Sequence, residues 1–250
     1  MPKIESPQNT TFKKCLSLTS AKGLKQEGAF LLSGEKLVRE FLANPHLKIL
    51  LELGTARMTP LPRGSLQHAD ADYLELSSEL FAQIDVLGTH FNILVLEQPP
   101  ITSLTREQLA SYEPRGLEAV MPIGDPGNLG ALIRSCEAFA VPRILLTQEA
   151  AHPFLPKAVK ASAGSVLRVP LARGPALAEF PDSCIALDKD GTPIDHFTWP
   201  ENGMLVVGEE GAGLGGKNFT QRIRIPTQGV ESLNAVVAAS IALAHRAASL

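Results

Sequence analysis

The stretch that most constrains this chain lies near its C-terminus, where Ala235-Val-Val-Ala-Ala-Ser-Ile-Ala-Leu-Ala-His245 combines strong helix-forming content with almost no polar face. Only Ser240 interrupts Val236, Val237, Ala238, Ala239, Ile241, Ala242 and Leu243. A helix that is apolar all round has to be covered on every side. That requires a layered fold around it and points to a second subunit as part of the cover. The helix is expected over 232–247 with Ser232 as its N-cap, after a short β-branched strand at 223–225, a break at Pro226 and a turn at Gly229.

The elements before it alternate. From residue 117 onward, apolar runs at 117–122, 143–147, 166–169, 183–187, 204–207 and 223–225 read as strands, and 129–139, 156–162 and 232–247 read as helices. Such alternation predicts an α/β fold with a mostly parallel sheet, helices on both faces, and a ligand at the C-terminal ends of the strands. The first 98 residues read as a smaller α/β module. They offer a helix at 13–23, a loop punctuated by Gly23 and Gly28, a strand at 29–33, a helix at 35–43 and strands at 47–53, 74–76 and 91–96, with a helix capped by Ser77 or Ser78 in between. Pro99-Pro100 cannot continue a central strand, and Thr105-x-x-Gln108 has the pattern of a capping box opening a short helix. The expected organisation is a substrate-binding domain at 1–98, a linker at 99–116 and a catalytic domain at 117–250.

Composition narrows the class. Of the 250 residues, 44% are apolar and 20% charged, which suits a soluble chain with well-packed cores. No apolar run approaches the ~18 residues of a membrane span, and the polar start is unlike a secretory signal, so a cytoplasmic protein with no membrane partner is expected. Cys15, Cys136 and Cys184 lack metal-ligand spacing, so reduced thiols and no metal are expected. The net charge of −3 argues mildly against a surface coated in phosphate-binding cations. Locally, Lys3, Lys13, Lys14, Lys22 and Lys25 face only Glu5 and Glu27 in the first thirty residues, either as a solvated start or as a footprint for a polyanion.

Three loops following expected strands carry polar residues among glycines. The first is Gly124-Asp-Pro-Gly-Asn-Leu-Gly-Ala-Leu-Ile-Arg134, where Gly127 and Gly130 allow close backbone approach, Asn128 is placed to open a helix, and Arg134 lies four residues beyond Gly130. Arg134 is either a surface residue or a partner for a phosphate or hydroxyl. The second, Gly208 to Asn218, holds Glu210 inside a glycine run and departs by one residue from a Walker A loop, with Asn218 where Ser or Thr would bind Mg²⁺. The third ends in Ser232-Leu233-Asn234, where capping accounts easily for one polar residue and less well for both.

Together, Asn128-x-Gly130-x-x-x-Arg134, Gly208-x-Glu210-x-x-Gly213-Leu214 and Ile225-Pro226…Ser232-Leu233-Asn234 resemble the three signature motifs of the SpoU (TrmH-like) RNA methyltransferases of the SPOUT superfamily. The resemblance covers residue 117 to the C-terminus. The N-terminal half is also similar, more loosely, to the small ribosomal-protein-like RNA-binding domain that many members carry, through its Lys-rich start and Phe30-Leu-Leu-Ser-Gly-Glu-Lys-Leu-Val38. The resemblance implies transfer of a methyl group from S-adenosylmethionine to a ribose 2′-hydroxyl in ribosomal or transfer RNA. It also implies a catalytic domain with a C-terminal trefoil knot and a homodimer whose two subunits build the sites. By motif position, Arg134, Asn128, Glu210, Ser232 and Asn234 would form the catalytic group. Gly208, Gly213, Ile225 and Leu233 would hold the cofactor, with Thr147 at the end of a neighbouring strand, and Lys13, Lys14, Lys22 and Lys25 would contact RNA. The chain departs from the family pattern at Thr227, where Met is usual, in a shorter turn before Ser232, and at Ala140, where Gly often follows the first helix. A P-loop nucleotide-binding protein and a non-catalytic RNA-binding module are the competing classes.

Overall fold

A computed structural model describes residues 3–44, 46–62, 72–208, 214–230 and 232–249. In chain order its elements are β1 (Lys3–Ile4), α1 (Thr10–Ser17), α2 (Ala21–Glu27), β2 (Ala29–Leu32), α3 (Glu35–Ala43), β3 (Ile49–Gly54), β4 (Asp72–Leu76), α4 (Ser78–Ile84) and β5 (Ile93–Glu97). There follow β6 (Thr102–Ser103), α5 (Arg106–Ala110), β7 (Leu117–Met121), α6 (Pro126–Ala138), β8 (Ile144–Leu146), α7 (Pro156–Ala161), β9 (Leu171–Arg173), β10 (Ile185–Pro193), β11 (Gly203–Val207), β12 (Gln221–Arg224) and α8 (Ala235–Ala248). They fall into two compact units, one of Met1–Pro100 with His152–Gly164, the other of Ile101–Ala151 with Ser165–Leu250.

The first unit is built on a mixed five-stranded sheet in the order β1-β4-β3-β5-β2. Leu31, Leu32, Leu53, Leu94, Val95 and Leu96, from β2, β3 and β5, are all buried. The expected helix at 13–23 is two helices. Ser20 accepts from the Gly23 backbone N–H and starts α2, so the chain turns at 18–20 and Gly23 lies inside a helix. Gly23 is required there because a Cβ would sit 2.0 Å from the Ser17 carbonyl oxygen. The left-handed Gly28 then ends α2 as a helix C-terminus commonly requires. Segment 152–164 joins this unit through α7 and through Phe154, which stacks on Phe30 at 4.8 Å between ring centroids.

The second unit carries a seven-stranded sheet in the order β12-β10-β11-β7-β8-β9-β6, and every ladder in it is parallel. Val120, Leu145, Ala172, Ala186 and Val206 face one core together with Phe180, Phe219 and Leu109. The alternate positions Ala119, Met121, Ile144, Leu146, Leu205 and Val207 are equally buried, as a parallel sheet covered on both sides demands. From Ile101 the stretch expected as a linker is part of this unit. Thr102–Ser103 adds the edge strand beside β9, and the capping box of Thr105 and Gln108 starts α5, whose Leu109 is buried in the core. Within the strand expected at 166–169, residues 165–167 form a 3-10 turn, and the strand itself begins after Pro170, which has no N–H to donate but accepts from the Ile144 N–H at 2.9 Å.

All three cysteines are free and buried, and burial pushes the Cys136 and Cys184 thiols up to about 12. Among the described residues no helix is long and apolar enough to cross a membrane, and no group of three or more His, Cys, Asp or Glu is placed to hold a metal.

Candidate active site

A cavity of about 800 Å³ opens in the second unit at the ends of β11 and β12 and against Leu187, Asp188 and Lys189 of β10. Parallel strands place their C-terminal loops on one edge of the sheet, and that edge is where α/β ligand sites form. Leu187, Val207, Ile223, Ile225 and Leu233 supply its apolar lining, and Gly208, Ser232 and Asn234 contribute to its polar part. The volume lies within the range of small-ligand sites.

The third loop is closed differently from expectation. Asn234, not Ser232, caps α8: its side chain accepts from the Val236 and Val237 backbone N–H groups at 2.9 and 3.3 Å. Capping therefore accounts for Asn234, and Ser232 stays exposed on the cavity wall, outside the helix. Upstream, Thr227 lines the cavity and donates from Oγ1 to the Val230 carbonyl at 3.0 Å, while Gly229 takes a φ of 80°. A short polar tie thus shapes the turn where Met would supply bulk.

In the first loop the helix opens three residues earlier than expected. Asp125 is the N-cap of α6, accepting from Asn128 N–H at 2.8 Å, and Pro126 takes the first helical position, where its fixed φ suits the helix. Asn128 is half-buried in the first turn, and Arg134 is exposed two turns further on. Neither lines the cavity of its own chain. Arg134 makes no hydrogen bond or ion pair among the described residues. The two site helices are joined where Ser135 and Ser240 share a hydrogen bond of 2.7 Å. A bidentate pair between Arg168 and Glu137 tethers the far end of α6 and holds the Glu137 carboxyl below its ordinary range.

Other expected positions are distributed as follows. Glu210 and Gly213 lie outside the described residues. Thr147 is buried at the end of β8, with its backbone N–H bonded to the Met121 carbonyl, and it does not reach the cavity lining. Lys13, Lys14, Lys22 and Lys25 are all exposed on α1 and α2 of the first unit. A P-loop is excluded by the fold, because a Walker A loop opens a helix and here β12 follows. Lys217 is moreover committed to Asp182 at 2.6 Å and to the Ala178 carbonyl at 3.1 Å. Sequence reasoning missed Asp188 and Lys189, which also line the cavity. The available signal was their position directly after the apolar run expected as a strand at 183–187.

Residues 119–244, just over half of the chain, match the SpoU rRNA Methylase family. The chain belongs to the SpoU rRNA methylase family. It is 29% identical over 257 residues to the 23S rRNA (guanosine(2553)-2′-O)-methyltransferase RlmP of Bacillus subtilis, covering 98% of this chain and 99% of that one. It is 34% identical over 244 residues to the ribosomal RNA small subunit methyltransferase G 2 of Syntrophobacter fumaroxidans, and there it spans 96% of its own length but only 48% of the relative. Among solved structures, a putative RNA methyltransferase of the TrmH family from Porphyromonas gingivalis aligns over 96% of this chain and 98% of that one, with a TM-score of 0.73 and 27% identity. The SpoU methyltransferase AviRb from Streptomyces viridochromogenes, solved in complex with AdoMet, shares the fold with a TM-score of 0.79 at 21% identity, over 96% and 98% of the two chains. The matched span 119–244 of this SpoU member contains α6, the cavity and all but the last turn of α8.

Proposed function

We propose that this chain transfers a methyl group from S-adenosylmethionine to a ribose 2′-hydroxyl of a structured RNA, ribosomal RNA in particular, in the cytoplasm. One observation carries the reading. Gly208, Ile225, Ser232, Leu233 and Asn234, drawn from two of the three motif loops, converge on a single cavity at the ends of parallel strands. Its apolar lining suits an adenine ring, and its polar wall suits the reacting groups. Ribosomal RNA is preferred over transfer RNA because the B. subtilis relative that aligns over nearly the full length of both chains is named for that substrate.

S-adenosylmethionine, when bound, supplies an electrophilic methyl group. The chain's own residues have to hold the acceptor hydroxyl in line and stabilise its developing charge. Arg134 is suited to the second task, since a guanidinium stays protonated and cannot serve as a base. Asn128 and Glu210 would orient Arg134 or the substrate. Arg134 is exposed and outside the cavity of its own chain. The reading is therefore of a homodimer in which two subunits complete the site. The apolar exposure of Val237 (47%) and Ile241 (38%) on α8 supports such a cover. The test is incorporation of labelled methyl from S-adenosylmethionine into ribosomal RNA. Arg134→Ala should abolish incorporation while leaving cofactor affinity within about twofold, and undiminished turnover in that variant would remove Arg134 from the mechanism.

A further inference from the structure

β10 does not run straight along β12. Its first three residues pair with Gln221, Arg222 and Ile223, and then Leu187 and Thr192 both register against Ile223, so residues 188–191 leave the ladder as an excursion. The return is possible because residue 191 is glycine: a Cβ there would sit 2.5 Å from the Ile223 nitrogen and 2.6 Å from the Arg222 carbonyl carbon. An excursion in a strand next to a site re-aims side chains. Here it delivers Asp188 to the cavity wall, immediately after Leu187 of the apolar lining. The Asp188 side chain is 20% exposed and positioned from two sides: Oδ1 accepts the Asp190 backbone N–H at 3.1 Å, and Oδ2 faces Arg222 Nη1 at 3.4 Å.

We infer that Asp188 is a cofactor-binding residue whose carboxylate accepts hydrogen bonds from the ribose hydroxyls of the adenosine half. This rests on the methyltransferase reading of the cavity. A carboxylate oxygen accepts more than one hydrogen bond, so the two existing contacts leave acceptor capacity at each oxygen. Arg222 already balances the charge, and Arg224 adds positive charge at the same cavity. That field disfavours the ammonium group at the methionine end and leaves neutral hydroxyls as the donors of choice. The ribose is the part of the cofactor joined to the adenine, which the neighbouring apolar residues suit. An acidic residue beside the ligand is a known way for a parallel sheet to hold ribose hydroxyls, and the excursion of β10 puts Asp188 on the cavity wall.

The experiment is calorimetry on the full chain with S-adenosylhomocysteine, with 5′-methylthioadenosine, which lacks the amino-acid part, and with the 2′,3′-dideoxy form of methylthioadenosine. Asp188→Ala should raise the Kd of the first two by roughly 10- to 100-fold, the loss of a charged hydrogen bond, and leave the dideoxy compound binding wild type and variant alike. A loss confined to S-adenosylhomocysteine would place the carboxylate on the ammonium and overturn the inference, as would unchanged binding of all three. Should the variant not fold, wild type decides alone: equal affinity for methylthioadenosine and its dideoxy form overturns the role. Wild type that binds none of the three would overturn the cofactor reading itself, whereas strong wild-type binding with an indifferent variant removes only Asp188.

Discussion

Ala140 holds a backbone conformation that its side chain resists. It follows the C-cap Phe139 of α6 with a φ of 53°, its N–H bonds the Glu137 carbonyl at 3.1 Å, and the Val141 N–H reaches the Cys136 carbonyl at 2.9 Å. That is the Schellman pattern, in which glycine is the usual left-handed residue. Ala140→Gly should therefore stabilise the protein by about 1 kcal/mol, the relief of a left-handed non-glycine residue less the extra entropy of the unfolded glycine. A thermal melt reads this as a rise of about 2–4 °C, and a fall would show that the Ala140 methyl packs favourably. A second residue-scale prediction concerns Tyr112, whose hydroxyl donates to buried Glu118 at 2.7 Å and accepts from Arg143 at 2.8 Å. Burial, and then Glu118, push the phenol up to about 12, so the hydroxyl stays a donor at any working pH. Tyr112→Phe removes one donor from a carboxylate that is 2% exposed and should cost about 1–3 kcal/mol in chemical denaturation. Cofactor affinity should not move, because the trio sits at the start of β7, away from the C-terminal strand edge.

At the scale of elements, the start of α8 does two jobs with adjacent residues. Asn234 caps the helix while lining the cavity, and Ser232 lines the cavity without capping. Asn234→Ala should lower stability by about 1 kcal/mol through the lost cap. Asn234→Asp should restore that stability, since Asp caps as well and a negative charge suits a helix N-terminus, yet it should not restore methyl transfer if the amide is needed. Full activity in the Asp variant, measured by methyl incorporation beside a thermal melt, would reduce Asn234 to a structural cap. The helix itself was readable from its composition. Its true N-cap was not, because Ser232 and Asn234 are equally good capping types and only the turn geometry selects between them.

For the whole molecule, the predictions concern assembly and RNA. Val237 and Ile241 lie four residues apart on α8, hence on one face, and both are exposed. On the proposed two-subunit reading, Ile241→Asp should give a monomer in light scattering where the unsubstituted chain gives a dimer, and abolish methyl transfer while the chain stays folded. An active monomer would refute the two-subunit site. The first unit offers Lys13, Lys14, Lys22 and Lys25, exposed on two consecutive helices. Replacing all four by Gln should weaken RNA binding and flatten its dependence on salt concentration by up to about four counterions, whereas an unchanged slope would make them ordinary solvated lysines.

Periodicity and local chemistry were enough to read the α/β class, the parallel second sheet, the helices starting at Glu35 and Pro156, and the Thr105 capping box. These rest on short-range rules: side-chain alternation, helix spacing, and caps within four residues. The three motif loops were also legible, because each ends an apolar strand with glycines beside polar residues. The tertiary structure decided what depends on distant partners. It drew Thr102–Ser103 into the sheet beside Leu171–Arg173 and turned the supposed linker into an edge. It assigned 152–164 to the first unit through contacts such as Phe30 with Phe154. It also bent β10 around Gly191, beside the Asp188 that lines the cavity. Local chemistry determines which elements form, while the register between strands far apart in sequence determines which side chains meet, and that register is set only when the core closes.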